Sequence, residues 1–186
     1  MTSKRDQIFD ATRDLIFEQG LQDSSMSQIA RRANVGMGTI YNYFDSKEEL
    51  VFSLYSEIKT AMDASIMSGY DASQPVVKRF FHLLRHVVRF GIAHPREFRL
   101  TGQLSMVPYV QEQAGGKDYA LVTAFDQLFK DAQEQHLIKE MSSNAIGLLI
   151  LGAINALVEA HAMKQITLEE DLIDMIVTAC WDAIKR

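Results

Sequence analysis

Residues 38–43, Gly-Thr-Ile-Tyr-Asn-Tyr, bring together side chains suited to reading a nucleic acid. On a helical wheel of about 100° per residue, Ile40 and Phe44 lie one turn apart and face inward, against Ile29, Ala33 and Val35. Gly38 and Asn42 fall opposite, with Thr39 and Tyr43 on one flank and Tyr41 on the other. The outward face is small, hydroxylated, amide-bearing and aromatic, and carries no charge. Asn pairs with adenine through two hydrogen bonds, and methyl groups and aromatic edges meet the thymine methyl. Tyr hydroxyls reach phosphates, and Lys47, in the first turn of the next helix, joins that helix's dipole in drawing one. A helical corner whose tyrosines merely pack is the alternative this spacing leaves open.

Other chemistry is poorly provided for. The sequence has no phosphate loop, nucleophile elbow or metalloprotease motif. His82 and His86 are i, i+4 neighbours, but no third ligand at motif spacing accompanies them. Cys180 sits in an apolar stripe and is expected to be buried and unreactive. No catalytic residue, metal site or cofactor is therefore expected.

The elements that must position the reading face are helices. Apolar residues recur at helical spacing, and only 3 prolines and 10 glycines interrupt them. Residues 4–19 form a first helix stopped by Gly20. Ser25 and Gln28 have capping-box spacing and open a short second helix. Asn34-Val35-Gly36 makes a tight turn into a third over 37–43, which is helix-turn-helix spacing. Ser46 with Glu49 starts a longer helix toward residue 67, and residues 69–75 form a linker. Further helices are predicted over 75–93, 96–105, 118–135, 142–163 and 168–185. The helix over 96–105 is expected to end near Pro108, and the last to start from a Thr167/Glu170 capping box. The fold class is all-α, with about nine helices.

Charge and composition narrow the partners. The 186 residues carry 19 Lys plus Arg against 24 Asp plus Glu, a net charge of -5. Residues 1–47 are neutral, so the whole excess falls on 48–186. Such a balance suits neither a nonspecific nucleic-acid coat nor an anionic-membrane binder. One cysteine fits a reducing compartment, and no signal-peptide stretch opens the chain. The most apolar run, 145–158, is short for a membrane span, so no membrane partner and a cytoplasmic location are expected.

Residues 8–50 resemble the N-terminal region of the tetracycline-repressor (TetR) family of bacterial transcription regulators. The matching pieces are Ala11, Phe17 and Gly20, then Ile29-Ala30, Ala33, Val35, Gly38-Thr39-Ile40-Tyr41, Tyr43-Phe44 and Ser46-Lys47-Glu48. The resemblance implies a three-helix DNA-binding domain over 1–48 and a larger helical domain over 49–186 that binds an effector and dimerises. It also implies a homodimer on a palindromic double-stranded DNA operator, acting as a repressor released by a small molecule. Carried over by position, Ser27, Met37, Gly38, Thr39, Tyr41, Asn42, Tyr43 and Lys47 are the DNA contacts, with Tyr41 and Lys47 mainly on phosphate. Gly36 stands where the family usually has Ser, which removes a side-chain cap from the recognition helix. The alternative is a DNA-binding structural or cell-division factor whose large domain binds a protein.

The larger part offers two apolar stripes for dimerisation: Ile146, Leu149, Ile150, Ala153 and Leu157, and Ile173, Ile176, Val177, Cys180 and Ile184. Gly147 and Gly152 allow close helix approach, though the same stripes could simply complete a protomer's core. Phe81, Arg85, Phe90, Phe98, Tyr109 and Phe125 are the candidates for the effector pocket. The basic run from Lys78 to Arg99 fits an anionic ligand, a membrane-surface helix, or a solvated face offset by acids elsewhere.

Overall fold

Ser3, Ser25, Ser46 and Ser142 each cap the start of a helix with a side-chain oxygen. The computed structural model describes residues 3–186, so Met1 and Thr2, at the start of the expected first domain, lie outside the described residues. It contains α1 (Lys4–Asp23), α2 (Met26–Arg32), α3 (Met37–Tyr41), α4 (Lys47–Ile66) and α5 (Val76–Ala93). These are followed by α6 (Pro95–Leu104), α7 (Pro108–Ala114), α8 (Ala120–Glu134), α9 (Ser143–Ala162) and α10 (Glu170–Ile184). The class is all-α, and among the described residues β-pairing is limited to an isolated bridge between Ile138 and Lys185.

The Ser25/Gln28 capping box forms as its spacing predicts, and Ser3 with Asp6 makes a further one ahead of α1. Gly20, with φ 86° and ψ 165°, breaks the helical path inside α1, and a last turn follows it. Two expectations are corrected. The Thr167/Glu170 box is absent, because α10 starts at Glu170 behind Glu169 with no side-chain cap. Among the described residues there are ten helices where about nine were expected, because Pro108 begins one instead of ending the region. At the first helical position its missing N–H costs nothing and its fixed φ suits the helix.

The chain packs as two units. One comprises residues 3–58 with 100–117, the other 59–99 with 118–186, so two of the breaks fall inside α4 and α6 and the third in the loop between α7 and α8. The first unit buries Ile8, Phe9, Leu15, Ile29, Ile40, Phe44 and Leu50, with the Phe9 and Phe44 rings 5.5 Å apart. Each such side chain contributes about 1.5–3 kcal/mol on leaving water.

The second unit is built on α5, which buries Phe80, Leu83, Leu84, Val87 and Val88 in one cluster with α8, α9 and α10. At Gly91, α5 comes close to α9: a Cβ there would lie 2.9 Å from Cγ2 of Val158 and 3.3 Å from the Phe98 ring. A buried Arg79 donates to Asp131 at 2.6 Å and ties α5 to α8.

Candidate nucleic-acid interface

The candidate reading face is held from behind by two side chains. Ile40 is fully buried and Phe44 nearly so, which fixes the rotation of α3 about its axis. Against them lie buried Ile29 and Ala33 and half-buried Val35. The turn from α2 into α3 is set by Asn34 at φ 53° and by the Val35 N–H donating to the Ala30 carbonyl at 3.0 Å. Gly36 is the N-cap of α3 and supplies no side-chain bond, as its identity dictates.

With that rotation fixed, Met37, Gly38, Tyr41, Asn42 and Tyr43 are exposed and Thr39 is half-buried. Tyr41 leaves 49% of its surface open and Tyr43 45%, so these rings are not packing elements of a closed corner. Asn42 sits just beyond α3, its N–H donating to the Gly38 carbonyl at 3.1 Å, so its amide side chain continues the helical face. Ser27 is exposed near the start of α2, with its Oγ 3.0 Å from that of Ser25. A short helix with uncharged amide, hydroxyl and aromatic groups outward can enter a major groove and meet base edges.

Lys47 is placed differently from the rest. Its Nζ donates to the Leu21 carbonyl at 2.6 Å and lies 3.4 Å from that of Gln22. The ammonium thus covers carbonyls in the last turn of α1, where a positive charge is favoured. Ser46 caps the start of α4 by accepting the Glu49 N–H at 3.1 Å, while the Glu49 carboxylate accepts the Asp45 N–H at 2.6 Å. Three arginines of this unit are held by acids: Arg5 by Glu57, Arg13 by Asp10, and Arg32 by Glu18.

The six candidate pocket residues are not brought to one place. Phe81 and Arg85 line an open groove of about 710 Å³ with His82, His86, Arg89, Glu170 and Asp174. Phe90 and Phe98 are buried. Tyr109 belongs to the first unit, half-buried, and burial and then Glu48 push its hydroxyl pKa up. Phe125 lines a groove of about 380 Å³ with Val122, Phe129, Leu148 and Leu151.

The basic run over 78–99 is largely offset by acids from other helices. Arg79 meets Asp131, Arg85 meets Asp174, Arg89 meets Glu170 and Arg99 meets Glu159. Arg85, Arg89 and Arg99 thus form a solvated, paired face, while Arg79 is buried. The His82 and His86 rings stack 4.1 Å apart, and burial, then the charge of His86, lowers the His82 pKa.

The two apolar stripes separate. On α10, Ile173, Val177, Cys180 and Ile184 are all buried in the protomer. On α9 the buried row is Ile146, Ile150, Ile154 and Val158, while Leu148 and Leu149 leave 63% and 50% of their surfaces exposed. α9 is long and apolar enough to cross a membrane by length and composition. Its buried row nevertheless belongs to the second unit's core. Sequence reasoning missed a buried polar group in this unit, formed by Lys59, Asp63 and Tyr119. The i, i+4 spacing of Lys59 and Asp63 was visible, but it looks the same as a solvated pair.

Residues 8–54 match the profile of bacterial regulatory proteins of the tetR family, and residues 55–186 match that of the tetracyclin repressor-like C-terminal domain. An uncharacterised helix-turn-helix transcriptional regulator from Haemophilus influenzae is 26% identical over 185 residues, spanning 100% of this chain and 97% of its own. A fatty acid metabolism regulator protein of Bacillus subtilis is 47% identical over 51 residues, 27% of this chain and 26% of its own. A crystal structure of a TetR-family transcriptional regulator from Haemophilus influenzae shares the fold. It has a TM-score of 0.78 at 24% identity and covers 98% of this chain and 97% of its own.

Proposed function

The chain belongs to the tetR family of bacterial regulatory proteins and is a helix-turn-helix transcriptional regulator; from that premise we propose that it is a homodimeric repressor released from a palindromic operator by a small molecule. The observation that carries the DNA reading is the uncharged face of Gly38, Tyr41, Asn42 and Tyr43, exposed because Ile40 and Phe44 are buried behind it. In this reading Asn42 and the tyrosines face base edges and phosphates, with Ser27, Met37, Thr39 and Lys47 at the margins. Selecting bound DNA from a random pool tests it. Recovery of a palindrome whose half-sites lie about one helical turn, 34–36 Å, apart is the expected result. Recovery of no common sequence would overturn it.

Dimerisation through α9 is supported by its exposed leucines and by open space at Gly147 and Gly152, where an added Cβ would meet nothing within 4 Å. Another copy could approach there closely. α4 supports a route for release, since it is one helix whose residues up to 58 belong to the first unit and from 59 to the second. An effector that binds one conformation of the second unit better than another would shift the population of α4 positions, and with it operator affinity. The whole-chain relative is a regulator, which favours this reading over a structural factor bound to a protein. Such a repressor acts in the cytoplasm, where its operator is.

A further inference from the structure

All five histidines of the chain, His82, His86, His94, His136 and His161, lie outside the unit that carries α3. Histidine titration between about pH 5.5 and 7 therefore reaches that unit only from the second one. Two of the five stand together where α4 ends. His82 and His86 are one turn apart on α5, with their rings stacked 4.1 Å apart. The His86 Nδ1 donates to the His82 carbonyl at 2.8 Å, which fixes its tautomer, since a carbonyl only accepts.

The His82 ring meets the chain around the end of α4. The Tyr70 ring centroid is 5.9 Å away, and a Cβ at Gly69 would lie 3.7 Å from its Cε1. The carbonyls of Ile66 and Ser68 favour a proton on the ring, yet its Nε2 is buried without a hydrogen-bond partner.

A neutral ring suits that place better than a charged one. Lys78, Arg85 and Arg89 of α5 line the same groove. The two carboxylates that line it from α10, Asp174 and Glu170, already serve Arg85 and Arg89. A proton on His82 would add charge beside His86 and these cations, with only the two carbonyls to receive it. Tyr70 brings no charge at neutral pH. Burial and then His86 outweigh the carbonyls and push the His82 pKa down. A ring that moves into water titrates near its ordinary value of 6.5, so acid favours a conformation in which His82 has left the α4 end.

We propose that His82 and His86 form an acid-sensitive latch: with both rings neutral the last turn of α4 is held against α5, and protonation of His82 lets it go. A freed α4 end spreads over more positions. A smaller fraction of molecules then presents reading faces at the half-site spacing, so operator affinity falls with pH. Affinity is full above 6.5 and is lost as pH drops from there through the lowered His82 value. The consequence for DNA rests on the reading of the chain as a repressor released through α4, and the latch itself does not.

Hydrogen exchange of the whole chain reads the latch without DNA. After correction for intrinsic rates, amides of residues 63–70 should lose protection by about fivefold or more between about pH 7.5 and 5.5. His82→Gln cannot titrate and should keep its protection constant. His86→Gln should move the midpoint up in pH, because one cause of the lowered His82 value is removed. Far-UV circular dichroism should show the same helix content at both ends of the range. Unchanged protection in the wild type, a loss shared by His82→Gln, or exchange that rises only as helix is lost overturns the latch. If His82→Gln does not fold, His86→Gln decides, and a midpoint that stays or moves down overturns it. Fluorescence anisotropy on the selected palindrome then reads the consequence. Affinity should fall by about fivefold or more in the wild type and stay level in His82→Gln. If protection is lost while affinity stays level, the latch stands and release through α4 falls. If the palindrome binds and protection does not move, the latch falls alone.

Discussion

Lys47 donates through its Nζ to the Leu21 carbonyl at 2.6 Å, so a side chain proposed to contact phosphate also closes the last turn of α1. The two roles have separable readouts. Lys47→Ala should weaken DNA binding about equally on all sequences and reduce the slope of log K against log salt by about one. It should also cost about 1 kcal/mol of stability from the lost charged hydrogen bond. Salt titrations of binding and denaturant melts measure the two effects. An unchanged salt slope would remove Lys47 from the phosphate contacts.

Asn42 is exposed on the reading face and Tyr41 stands on its flank. Asn42→Ala should relax preference at one base position, with a penalty of about 1–3 kcal/mol on the selected site. Tyr41→Ala should instead weaken all sequences together. Binding to a panel of single-base operator variants distinguishes them, and equal losses across the panel for Asn42→Ala would deny it a base-reading role.

A Cβ at Gly91 would lie 2.9 Å from the stiff, branched side chain of Val158. Gly91→Ala should destabilise the second unit by about 1–3 kcal/mol, because overpacking outweighs the better helix propensity of alanine. Urea denaturation would show it. A gain in stability would mean that α5 and α9 part at little cost.

Leu149 is half exposed on α9. Leu149→Lys should leave the helical content of the protomer unchanged and raise the dimer dissociation constant by an order of magnitude or more, about 1.4 kcal/mol or more. Equilibrium sedimentation is the measurement. An unaltered dimer would move the interface away from this face.

The His82 pKa is lowered, first by burial and then by His86, against an ordinary value of 6.5. The unfolded chain therefore binds more protons than the folded one between the lowered value and 6.5, and stability rises with pH across that window. Acidification from pH 7 should destabilise the second unit, and His82→Gln should flatten that slope. Further acid loss comes from Asp131, held below the usual carboxylate range first by its hydrogen bond from Arg79. That contribution is present above 3.8 and disappears as pH falls through the depressed value. Denaturant midpoints between pH 8 and 3 would resolve the two steps.

Much of the DNA-reading module was legible in the order of its residues. The Ser25/Gln28 box, the left-handed Asn34 and the one-turn spacing of Ile40 and Phe44 act over three or four residues, and local hydrogen bonding enforces them wherever the segment packs. The face that Ile40 and Phe44 turn outward follows from that spacing alone. Tertiary structure decided the rest. Arg79, Arg85 and Arg89 find acids 52, 89 and 81 residues away, so of the three readings the basic run left open, pairing selects the face offset by acids elsewhere. Packing also settled which side of α9 is buried, and it scattered the six candidate pocket residues. Pro108 starts a helix rather than ending one. Lys59 and Asp63 show the limit most plainly. At i, i+4 they look like a surface pair, and only the packing of α4 against α8 takes them out of water. Burial and long-range pairing depend on which elements meet, and a sequence carries no local mark of that.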